Sequence, residues 1–110
     1  MEDRFFANLT RIPNAKIGII VGEKSWCKYD AKVRRLKEFY EDNVEIKEGF
    51  GFVSLLNKTT NTCLTICFPE LLYRCARGQF IFVSEELDNS IKEEAFRNLV
   101  PYYLIDNKKG

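Results

Sequence analysis

The chain has 110 residues, 45% hydrophobic and 30% charged, with 17 basic and 16 acidic side chains. Those values belong to one globular core with almost no net field, so a partner such as nucleic acid, an anionic membrane or an acidic substrate would have to find a local patch. Histidine is absent, which removes the commonest general base, the commonest metal ligand and the usual partner of a Ser or Cys nucleophile.

Along the chain, Met1 to Thr10 places Glu2 and Asp3 before two Phe residues, unlike the basic and apolar regions of a signal peptide. Residues 1–14 read as irregular. Ile17 to Val21 is a β-branched run closed by Gly22, a buried strand. Trp26, Tyr29, Val33, Leu36 and Tyr40 then recur at helical spacing and predict one long amphipathic helix over 26–42. Asn43 ends it, and Val44 to Lys47 alternates as a half-buried strand before a turn bracketed by Gly49 and Gly51. Phe50 to Leu56 and Asn61 to Phe68 predict a hairpin around the polar Asn57 to Thr60 segment. Pro69 and Gly78 bound a short helix containing Leu71, Leu72 and Cys75, and Phe80 to Val83 is a central strand. Ser90 and Glu93 have capping-box spacing, opening a helix with Ile91, Ala95 and Leu99 on one face until Pro101. Tyr102 to Ile105 is a last strand, and 106–110 a polar tail. The sum is a single α+β domain over 1–110, with a mixed or mainly antiparallel sheet of about five strands and two to three helices.

Four cysteines, Cys27, Cys63, Cys67 and Cys75, lack an export signal beside them and read as buried thiols of an intracellular, cytoplasmic protein. Cys63 and Cys67 on one strand would stand about 13 Å apart, too far to share an ion, so no metal and no cofactor is expected. The triplets beginning at Asn8 and Asn57 match the glycosylation acceptor but read as ordinary loop residues. No apolar run approaches the ~20 residues of a membrane span.

A carboxylate enzyme needs only acids to hold a divalent cation and a lysine to orient water. Glu45-Ile46-Lys47 supplies an E-x-K triplet, with Asp30 or Asp42 upstream. The helix and strand order from Trp26 to Val83 resembles the core of the PD-(D/E)xK nuclease superfamily. In that family the acids lie on the second and third core strands, here Phe50 to Leu56 and Asn61 to Phe68, which carry no carboxylate.

Glu48-Gly49-Phe50-Gly51-Phe52-Val53-Ser54-Leu55 agrees over Gly49 to Val53 with the RNP1 pattern, and in that segment the chain resembles the RNA recognition motif. Glu48 stands where the family has a basic residue and Leu55 where it has an aromatic; the RNP2 segment and the helix after RNP1 have no match. The resemblance implies that Phe50 and Phe52 stack on unpaired bases from one sheet face. Lys47 and Lys58, or Lys28, Lys32 and Arg35 on the solvated face of the helix, would meet phosphate. Arg34 with Glu38 and Lys37 with Glu41 are spaced to compensate part of that charge. The competing reading makes both rings hairpin core.

Lacking a catalytic constellation, the chain reads as a small non-enzymatic interaction domain binding single-stranded nucleic acid. The rivals are a protein-binding adaptor or inhibitor, of the kind viruses and mobile elements encode, acting through a strand edge or as a homodimer, and the carboxylate nuclease.

Overall fold

The computed structural model describes residues 2–71, 79–98 and 102–105. They form one mixed sheet of six strands in the order β2-β3-β4-β1-β5-β6, the α+β architecture expected from the sequence. The strands are β1 (Lys16–Ile20), β2 (Val44–Gly49), β3 (Phe52–Asn57), β4 (Thr62–Cys67), β5 (Phe80–Ser84) and β6 (Tyr102–Ile105). Helices α1 (Asp3–Leu9), α2 (Glu23–Tyr40) and α3 (Asn89–Asn98) accompany them.

β1 is the axis of the sheet. Ile17, Ile19 and Ile20 are buried with Val21 just beyond, as a strand covered on both sides requires, and it runs parallel to both β4 and β5. From β1 the chain crosses through α2 to the sheet edge, and β2, β3 and β4 return as an antiparallel meander. These strands alternate, so Val44, Val53, Leu55, Leu64 and Ile66 join Ile17, Ile19 and Phe82 beneath Tyr29, Val33 and Leu36 of α2. The opposite face has a smaller cluster, Ile20, Cys67, Ile81 and Val83, covered by Leu71, Leu87 and Ile91.

Three boundaries differ from expectation. Where an irregular start was predicted, α1 is helical because Phe6 and Leu9 are buried, Phe6 lying 6.2 Å from the Tyr29 ring. A helix this short is marginal alone and is held by packing. Helix α3 begins at Asn89, with the Ile91 and Lys92 amides donating to the Asp88 carbonyl, so Ser90 lies inside the first turn and the expected capping box does not form. Pro69–Leu71 is a single 3-10 turn; the rest of the helix expected up to Gly78 lies outside the described residues, as do Leu99, Pro101 and the 106–110 tail.

Polar residues expected in loops hold the fold together instead. Asn57 is 3% exposed and donates to the Thr10 carbonyl at 3.0 Å, while the Thr60 hydroxyl donates to the same oxygen at 2.9 Å. Asn8 lies within α1. Of the thiols expected to be buried, Cys67 is buried, Cys63 half-buried and Cys27 exposed; Cys75 lies outside the described residues. The expected charge pairs on α2 are also redistributed: Arg34 reaches Asp30 at 3.1 Å and Glu48 on β2, and Lys37 donates to the Glu41 and Val44 carbonyls.

Lys32 is the larger correction to the solvated helix face. It is 6% exposed and ion-paired with Asp3, stapling α1 to α2. The Lys32 hydrogen bond and charge hold the Asp3 carboxyl below its usual value. A carboxyl depressed on folding stabilises the protein above its unfolded pKa of about 3.9, and that contribution disappears as pH falls through the folded value. Asp3→Asn is therefore expected to lower the urea midpoint at pH 6, with the gap from wild type narrowing by pH 2.5; a constant gap would remove Asp3 from the acid response.

Candidate nucleic-acid interface

The RNP1-like segment is bent in the middle. Gly49 pairs with Phe52, leaving Phe50 and Gly51 as the turn of the β2–β3 hairpin. Gly51 has φ +82, the left-handed value a type II turn demands at its third position, where glycine carries no penalty. Gly51→Ala is expected to cost about 1–2 kcal/mol through this conformation, read from the urea midpoint; a neutral substitution would mean the turn relaxes elsewhere.

The bend separates the two aromatic residues expected to share one strand face. Phe50, at 101% exposure, projects from the turn into solvent. Phe52 is half-buried on β3, its ring laid over the β2 backbone: a Cβ built on Gly49 would meet Phe52 Cε1 at 2.4 Å. Glycine at 49 thus admits the ring, and any side chain there would push it away.

Register arranges the surface beside Phe52, on the sheet face opposite α2, in rows. Gly49, Phe52, Cys67 and Ile20 form the first, Lys47, Ser54, Thr65 and Gly18 the second, and Glu45, Leu56, Cys63 and Lys16 the third. Among the described residues the part formed by β2, β3 and β4 is only partly covered, with Ser54, Leu56, Cys63 and Thr65 half-buried. The Ser54 and Thr65 hydroxyls share a hydrogen bond at 3.0 Å, making a shallow floor of small polar side chains.

Charge on this edge is mostly compensated locally. Glu45 pairs with Lys58 at 3.3 Å and Glu48 with Arg34. Lys47 is exposed, shares the face of Phe52, and has no ion pair with any described residue. The structure puts Phe52 and Lys47 on one sheet face, leaves Phe50 on the adjoining turn, and keeps Lys58 at the far end of the same hairpin. Lys28, Lys32 and Arg35 are not part of the site, because α2 covers the other face of the sheet.

Sequence reasoning missed two rings. Trp26, assigned to the helix stripe, and Phe68, assigned to a strand end, stack at 4.5 Å and 22°. Phe68 donates its amide to the Gly51 carbonyl at 3.0 Å and supports the turn from below, near Leu71. Spacing could not have shown this, since the pair spans a helix and a strand end brought together only by the parallel β1–β4 contact.

The nuclease residues are scattered. Asp30 is on α2 and paired with Arg34, Asp42 lies in the 3-10 turn after α2, and Glu45 and Lys47 are on the opposite face of the edge strand. Among the described residues no three acidic or sulfur ligands converge on a metal position, and none of the described helices is long and apolar enough to cross a membrane. A scan against protein-family models gives no match, and a search of curated proteins finds no significant relative.

Proposed function

We propose that this chain is a small interaction domain that holds single-stranded nucleic acid against the open face of β2, β3 and β4. The observation that carries the reading is the fully exposed Phe50 ring on a supported turn, next to a second ring and a lysine with no ion pair among the described residues. A large apolar group wholly in water is the informative exception to burial, and aromatic faces accept any unpaired base. One base stacks on Phe50 and the next on Phe52, the Ser54–Thr65 floor permits close approach, and Lys47, one row beyond Phe52, meets the phosphate on that side.

Fluorescence anisotropy with labelled oligo-U and oligo-dT, over a salt series and against a duplex of equal length, tests this. Single strands should bind in preference to duplex, with affinity falling as salt rises through counterion release, and Lys47→Ala should reduce the salt slope by about one phosphate contact. Absence of single-strand binding at low salt would refute the reading.

A second reading, strand addition by a protein partner or another copy, has one observation behind it. Tyr103 and Leu104 on edge strand β6 are each 49% exposed, whereas edge strand β2 carries Glu45, Lys47 and Glu48, charges that oppose such pairing. Sedimentation equilibrium of the free protein separates the two, a concentration-dependent dimer favouring the β6 edge.

A further inference from the structure

The groove between α1 and α2 lies across the molecule from the sheet's open face and has a different chemistry. Its volume is about 260 Å³, and Phe6, Ala7, Leu36 and Phe39 supply apolar walls. Arg11, Lys32 and Arg35 line it as well, against the single carboxylate of Asp3.

The charges do not balance within the described residues. Lys32 is 6% exposed, a burial lysine rarely shows unless paired. Its partner there is Oδ1 of Asp3, and the same oxygen accepts from Arg35 at 3.2 Å. Arg11 donates Nε to the neutral Tyr40 hydroxyl at 3.2 Å. An ammonium has three donors and a guanidinium five, so two cations converging on one carboxylate oxygen leave room for a second acceptor. Phe39 at the rim is 72% exposed, an aromatic ring the fold itself does not cover.

We infer that this groove binds a small aromatic monocarboxylate. The ring lies against Phe6, Ala7, Leu36 and Phe39, and the carboxylate accepts from Arg35 and Lys32, offsetting one of the two positive charges that Asp3 leaves uncompensated. The volume favours a single ring with a short acidic arm, since pockets for larger ligands start at about 300 Å³.

Phenylacetate titrated into the ¹⁵N-labelled protein tests the assignment, with phenylacetamide, inorganic phosphate and a short Phe-terminated peptide as comparison arms. Amide shifts confined to α1 and α2, with a Kd of about 0.1–1 mM, are expected for a ligand of this size. Arg35→Leu removes a mostly exposed charge and should weaken phenylacetate about tenfold or more. Ala7→Leu keeps every charge but fills the groove and should abolish binding. Both variants are compared by circular dichroism, and if Ala7→Leu fails to fold, Arg35→Leu decides alone. Equal binding of phenylacetamide or of phosphate would overturn the assignment, as would tighter binding of the peptide, unchanged affinity in Arg35→Leu, or no shifts at all.

Discussion

Leu64→Ala is expected to destabilise the protein by about 3–4 kcal/mol, the usual loss for a fully buried leucine whose cavity cannot collapse. Leu64 is 0% exposed and sits between Ile17 of β1 and Leu55 of β3 in the sheet register, where the first strand meets the meander. Neighbours on both sides are themselves β-sheet residues fixed by ladder hydrogen bonds, so little movement can refill the space. Against a total stability of about 5–15 kcal/mol this is a large fraction, and the melting temperature should fall by roughly 10–20 °C. Urea unfolding should show a lower midpoint with an unchanged slope. A loss under about 1 kcal/mol would mean that Leu64 is not the joint between β1 and β3.

Phe50→Ala is expected to do the reverse, leaving stability within about 0.5 kcal/mol of wild type while weakening single-strand binding by about 1–3 kcal/mol, roughly 5- to 150-fold. The ring is 101% exposed, so its removal uncovers no core. Phe52→Ala should lower affinity too, but with a stability loss, since that ring packs over Gly49. Anisotropy and urea unfolding on the same samples separate the two. If Phe50→Ala binds as wild type does, the exposed ring serves something other than nucleic acid; if it unfolds, the turn depends on contacts that its exposure does not reveal.

Much of the fold is legible in the sequence. The Trp26 to Tyr40 stripe predicted α2, with Tyr29, Val33 and Leu36 buried, because helical periodicity is local and survives tertiary packing. The meander followed from alternation and from glycine at 49 and 51, and the continuous apolar run of β1 from its burial on both faces. α1 left no such trace: its stability comes from Phe6 and Leu9 entering the core, Phe6 beside Tyr29 of α2, and the Asp3–Lys32 pair joins residues 29 positions apart. Lys32 was misjudged for the same reason, since a lysine on a helix's polar side becomes buried only when another helix is laid across it.

The candidate site shows the same division. The sequence by itself determined that no histidine chemistry is available, that one α+β domain forms, and that Phe50 and Phe52 flank a glycine. Only the tertiary structure decided that the β2–β3 turn leaves one ring in solvent and the other on the sheet, that Trp26 and Phe68 stack beneath it, and that α2's cations lie on the wrong side of the sheet. The physical reason is range: patterning reports which way a side chain faces relative to its neighbours in sequence. The parallel pairings of β1, to β4 and to β5, join residues as far apart as Ile17 and Phe80, and they decide which surfaces share a face.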